Sequence, residues 1–150
     1  MRVLEQLEPQ GVFRFFEELC AIPHGSRNCQ AVSDWCVAFA KERGLEHCQD
    51  QAGNVILIQE ATPGYEAAEP IILQGHMDMV CAKTEDCPKD MAAEGLDLMT
   101  DGQWVWAKDT TLGGDNGIAV AMILAILADQ TLAHPPIEAV FTVDEEVGMD

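Results

Sequence analysis

The chain has 150 residues, 48% hydrophobic and 23% charged, which is the composition of a globular domain with its own core rather than of a disordered segment. Its 26 acidic and 8 basic residues leave a net charge of −18. That balance argues against nucleic acid and anionic membrane surfaces as partners, because nothing is present to neutralise phosphates.

The first residues, Met1 to Glu8, contain no apolar signal core. The longest apolar run, Ile118 to Ala128, is shorter than the ~20 residues of a membrane-spanning helix. The expected location is therefore the cytoplasm. The six cysteines (Cys20, Cys29, Cys36, Cys48, Cys81, Cys87) form no C-x-x-C pair, and reduced, mostly buried thiols are expected.

A helix is predicted from Pro9 to Cys20, with Val12, Phe13, Phe16, Leu19 and Cys20 on one face. Pro23 stops it, and Ile22 to Ser26 reads as a turn in which His24 is solvated. Asn28 is the candidate N-cap of a second helix, which runs to about Arg43 and carries the stripe Val32, Trp35, Cys36 and Phe39. Gly44 is its natural terminator. Leu45 to Gln49 and Asn54 to Gln59 read as two strands joined by a turn around Asp50 to Gly53, and Ala61 to Glu69 as a surface loop.

Ile71-Ile72-Leu73, bounded by Pro70 and Gly75, reads as a buried strand that delivers His76 at its carboxyl end. Ligands and catalytic groups gather at that end of open α/β sheets. Asp78, two residues on, is close enough to accept a hydrogen bond from the second ring nitrogen of a metal-bound imidazole. Cys81 to Gly95 is charged, irregular and exposed. Asp101-Gly102 is a two-residue hairpin signal between Leu96 to Thr100 and Gln103 to Trp106, with Trp104 and Trp106 packing from one face.

The run Thr110 to Gly117 leads into a helix over Ile118 to Ala128, apolar nearly all round and so buried. Asp115 stands at its start among glycines, where it either caps the helix or approaches a ligand closely. The stretch lacks the lysine of a phosphate-binding loop, and no G-x-G-x-x-G is present, so nucleotide binding is discounted. Ile137 to Val143 is a further strand, ending in Asp144-Glu145-Glu146, which taken alone reads as a solvated loop. A strand–helix–strand unit of this kind favours a parallel pair with a right-handed crossover. His76, Asp115, Glu145 and Glu146 would then converge on one sheet edge. Their mutual repulsion there is relieved by divalent cations.

Three motifs in this order, Gly75-His76-Met77-Asp78-Met79-Val80, Thr110 to Ile118, and Asp144 to Asp150, resemble those of the co-catalytic di-zinc exopeptidases of the aminoacylase and carnosinase type. More narrowly, the chain is similar to the aminoacyl-histidine dipeptidases, also called the peptidase D or Xaa-His dipeptidase family. The resemblance extends to the Ile22-Pro23-His24 turn, to Gln51 to Val55 and to the Asp101-Gly102 hairpin. It implies an α/β fold, a three-layer α-β-α zinc-exopeptidase-like catalytic domain with a central mixed sheet.

It further implies that His76 ligates one zinc, that Asp115 bridges two and that Glu146 ligates the second. Glu145 is implied as general base and Asp78 as the residue that orients His76. The Asp115–Asn116 peptide is implied to be cis. Two zincs per full-length subunit are expected, with cobalt or manganese as possible substitutes, and a small peptide as substrate. The reaction is hydrolysis by a metal-activated water. The alternatives are an N-acyl amino acid deacylase of the same family and a non-catalytic metal- or peptide-binding relative.

Two positions depart from the family pattern: Asp109 stands where Gly is expected, and no acidic residue lies near Cys29. Residues 1–150 are expected to be the N-terminal segment of the catalytic domain. One further ligand per zinc, the rest of that domain and a lid or dimerisation domain would lie beyond position 150, in a protein that forms a homodimer. The 150-residue piece is expected to bind zinc weakly and to hydrolyse little.

Overall fold

A computed structural model describes residues 2–149; Met1 and Asp150, the outermost residues of the opening stretch and of the last motif, lie outside it. Three helices, α1 (Gln10–Cys20), α2 (Gln30–Arg43) and α3 (Gly114–Ala128), accompany six strands. These are β1 (Glu46–Gln49), β2 (Val55–Gln59), β3 (Ile71–His76), β4 (Leu98–Thr100), β5 (Val105–Ala107) and β6 (Ile137–Thr142). The main sheet has the order β1-β2-β6-β3, and β4 and β5 form a separate hairpin. The β3–β6 pair is parallel and the other neighbours are antiparallel, so the sheet is mixed, as the sequence led us to expect.

Strand alternation decides which side chains enter the core. Val55 and Leu57 on β2 stand opposite Phe141 and Ala139 on β6, and all four are fully buried. Fully burying a side chain such as that of Val55, Leu57 or Phe141 contributes about 1.5–3 kcal/mol. The helices lie over this face. Gln49 of β1 donates to Ser33 of α2 at 2.7 Å. Phe15 of α1 meets Trp35 and Phe39 of α2 edge to face. Gly75 of β3 is pressed so closely on α3 that a Cβ there would stand 2.9 Å from Asn116 Oδ1. On the opposite face, Ile56 is 38% and Ile72 65% exposed. The described residues thus contain the sheet and one helical layer of the expected three-layer domain.

Several local expectations need correction. Asn28 is not the N-cap of α2; Cys29 takes that place, and the Asn28 side-chain Nδ2 donates instead to Ala92 O at 3.0 Å. Ile71-Ile72-Leu73 is not buried, because β3 is the edge strand of the sheet and burial begins only at Gly75 and His76. Phe15, outside the anticipated stripe of α1, is buried because α2 crosses above it. Helix α3 is not sunk on every side, since Met122 is 49% exposed.

The hairpin pairs Thr100 with Val105, so its loop has four residues and not two. Asp101 Oδ1 organises that loop by accepting the Gln103 and Trp104 amides, which leaves Trp104 72% exposed rather than packed. Asp109 has φ 61°, in the left-handed region that glycine enters at no steric cost. That conformation accounts for the glycine expected at this position.

Candidate metal centre

Because β3 and β6 run parallel in register, His76 pairs with Thr142 and their carboxyl ends reach the same edge. Beyond β6 the chain turns through Asp144 into a single 3-10 turn, Glu145–Val147. Asp144 adopts φ 57° and its carboxylate accepts the Arg27 amide at 2.5 Å. This bend lets consecutive residues aim in different directions.

Asp115 arrives from the other side. Gly113 before it has φ 70°, and Asp115 and Asn116 have non-helical dihedrals at the start of α3. The Asp115–Asn116 peptide is cis. Asp115 makes no cap bond to the helix, so the capping reading falls. Instead its carboxylate points at His76, with Oδ1 3.1 Å from Nε2. Asn116 Oδ1 accepts the His76 amide at 3.2 Å and so ties the start of α3 to the end of β3.

His76 is buried, and its Nδ1–H donates to the Asp78 carbonyl at 3.0 Å, with Asp78 Oδ1 at 3.3 Å. That bond fixes the tautomer and leaves the Nε2 lone pair facing Asp115 and Glu145, whose Oε2 is 3.6 Å away. One ligand atom each from His76, Asp115 and Glu146 lie within 4.8 Å of one another. Sequence separation is no obstacle to this convergence, because each residue sits at the end of an element fixed to the next.

Asp78, 1% exposed, joins these parts. Oδ1 accepts the Glu145 amide at 3.0 Å. Oδ2 accepts the Ser26 hydroxyl at 2.7 Å and the Glu146 amide at 3.3 Å. Its carboxylate thus faces the turn that carries Glu145 and Glu146 as well as the imidazole. The roles of Ser26, Asn116 and Asp144 were not legible in the sequence, because Asn116 and Asp144 each hold a backbone amide, Ser26 bonds a carboxylate 52 residues away, and none has a spacing that announces it.

Four carboxylates, those of Asp78, Asp115, Glu145 and Glu146, surround one imidazole. Among the described residues His76 is the only basic group within ion-pair distance of any of them. An imidazole nitrogen with its second nitrogen occupied, set among carboxylate oxygens with no lysine or arginine to balance them, is a donor set suited to divalent cations such as zinc. The residues present therefore fit the metal that the resemblance implies.

His24, expected in solvent, is 2% exposed. Its Nδ1 is 2.6 Å from Ile22 O, and its Nε2 is buried without a partner, packed against Gly113. Burial holds its pKa below the ordinary 6.5, against the smaller opposing effects of the Ile22 bond and the Asp78 charge. Cys29, near which the family pattern has an acidic residue, is also buried. Desolvation, followed by the nearby charge of Asp78, pushes its thiol up to about 11.

No family model matches the chain. Along its whole length it is 42% identical to the cytosol non-specific dipeptidase of Escherichia coli, and it covers 31% of that protein. The crystal structure of an aminoacylhistidine dipeptidase from Vibrio alginolyticus superposes with a TM-score of 0.94 at 42% identity, over 97% of this chain and 30% of that one. A tripeptidase from Staphylococcus aureus shares the fold, with a TM-score of 0.73 at 24% identity over 93% of this chain. The chain spans about a third of the length of these relatives.

Proposed function

We propose, since this chain fits a member of the peptidase D family, that it is the metal-holding part of the catalytic domain of a zinc-dependent dipeptidase. The observation that carries the proposal is the meeting of His76 Nε2 with the carboxylates of Asp115 and Glu146, their ligand atoms within 4.8 Å of one another. His76 and Asp115 would hold one zinc, and Asp115 and Glu146 a second. The names of the relatives support a short peptide as substrate, and Xaa-His dipeptides are the specific class we propose.

When bound, the zinc pair supplies a water of lowered pKa and a Lewis acid for the scissile carbonyl. The chain's own residues do the rest. Glu145, its Oε2 3.6 Å from His76 Nε2, lies beside the proposed ligands, where it would take the proton of the attacking water. It would then return that proton to the nitrogen of the scissile bond, which must be protonated to leave as an amine when the C–N bond breaks. Asp78 keeps the His76 Nδ1 proton in place, so that Nε2 stays available as a ligand. The 3-10 turn separates the two adjacent glutamates, one toward metal and one toward water.

The remaining ligands, and a lid or dimerisation domain of a cytoplasmic homodimer, belong in this proposal to the longer protein whose relatives are about three times this length. The test is Glu145→Gln in that full-length protein. Zinc content is expected to stay at two per subunit while kcat on Xaa-His dipeptides falls by at least ~100-fold. Retained turnover would reject Glu145 as the base.

A further inference from the structure

We propose that Ser26 is a positioning residue for the metal centre, acting through Asp78; this rests on the dipeptidase reading of the same site. The buried Asp78 carboxylate has no lysine or arginine partner among the described residues, so its orientation depends on the donors around it. Two of these, the amides of Glu145 and Glu146, belong to the site and gain their own placement from Asp78, and His76 Nδ1, bonded to the Asp78 carbonyl, stands 3.3 Å from Oδ1. The Ser26 hydroxyl comes from outside the site and makes the shortest bond of the set, 2.7 Å to Oδ2. Without it Oδ2 keeps one bond of 3.3 Å, and the carboxylate, held at Oδ1 by the Glu145 amide, can swing about that anchor. Such a rotation would disturb the imidazole and both glutamates together.

The turn that carries Ser26 is itself held on two sides. The Ser26 amide donates to Met79 O at 3.1 Å, and the Met79 amide donates to His24 O at 3.1 Å. The next residue, Arg27, gives its amide to Asp144 Oδ1, immediately before Glu145. One short turn near the amino terminus thereby reaches the strand that carries His76 and the loop that carries the glutamates, which are 67 and 68 residues from Asp78 in sequence.

The experiment uses the full-length protein, with Ser26→Ala, Ser26→Thr and Ser26→Cys. Two quantities are read that need no turnover. One is the zinc dissociation constant from chelator competition; the other is amide exchange at Glu145 and Glu146 in the metal-free protein. Ser26→Ala is expected to weaken zinc about 10-fold or more and to speed exchange at those two amides. Ser26→Thr, which keeps the hydroxyl, is expected to restore both. If Ser26→Ala does not fold, Ser26→Cys carries the test, with its weak thiol donor giving an intermediate zinc constant.

Wild-type zinc affinity in Ser26→Ala or Ser26→Cys would overturn the proposal. So would exchange that rises equally across β3, β6 and α3 with no rescue by threonine. A wild-type protein that binds zinc but cleaves no dipeptide would sink the dipeptidase reading alone, and the role of Ser26 would still be decided by zinc affinity. An active enzyme whose Ser26→Ala variant binds zinc as tightly would sink this proposal alone.

Discussion

Single residues do two different jobs at this sheet edge. His76, Asp115 and Glu146 present lone pairs to a shared point, whereas Asp78 spends all its acceptors on keeping its neighbours still. His24 is a third kind, a buried neutral imidazole one turn away. Its folded pKa lies below that of the unfolded chain, so below about pH 6.5 the unfolded state takes up a proton that the folded state refuses. Its contribution to stability is full above the unfolded value and is lost as pH falls toward the depressed folded value. In metal-free protein the urea midpoint is expected to fall between about pH 7.5 and pH 5.5, and His24→Asn is expected to flatten that fall. An unchanged slope in the variant would assign the dependence to other groups.

Elements, rather than residues, bring the site together. The parallel β3–β6 pair sets two carboxyl ends on one edge, and the close seat of α3 on Gly75 brings Asp115 up to them. Gly75→Ala inserts a methyl 2.9 Å from Asn116 Oδ1 and 3.4 Å from Ala119 and Val120. It is expected to cost about 1–3 kcal/mol and to lower zinc affinity as well, since Asn116 also holds the His76 amide. Chemical denaturation and chelator competition check the two effects; loss of stability with unchanged zinc affinity would detach Asn116 from the site.

Much of this scale was legible in the sequence. The helical stripe of α2, the strand pair around Asp50 and the strand–helix–strand order were plain in periodicity and turn residues. The exposure of Ile71 and Ile72 was not, because an apolar run reads alike in a central and an edge strand. The four-residue hairpin loop escaped because Asp101 accepts amides two and three residues on, which outweighs the Asp-Gly signal. At the site, the residues at strand and helix ends stood out. Those that hold them did not: Asn116 and Asp144 act on backbone amides, and Ser26 on the carboxylate of a residue distant in sequence.

At the scale of the molecule, one face of the main sheet carries all three helices while Ile56 and Ile72 stand exposed on the other. The relatives are about three times as long, so both a covering layer and further ligands have room in a longer protein. Two of the proposed zinc contacts come from His76 and Asp115 and two from Asp115 and Glu146, fewer than the three protein ligands usual for a catalytic zinc. Residues 1–150 expressed alone are therefore expected to bind zinc at least ~10-fold more weakly than the full-length protein and to show little hydrolysis, as measured by chelator competition and a dipeptide assay. Equal affinity and activity would mean that the centre is complete within this chain.

On the proposed reading, side chains far apart in sequence hold a pair of cations at the β3–β6 edge. Anomalous diffraction at the zinc edge, from crystals of the zinc-loaded full-length protein, locates those cations. Two peaks are expected, one beside His76 Nε2 and Asp115 and the other beside Asp115 and Glu146. Zinc found elsewhere, with the carboxylates of Asp115 and Glu146 turned away from His76, would contradict that reading.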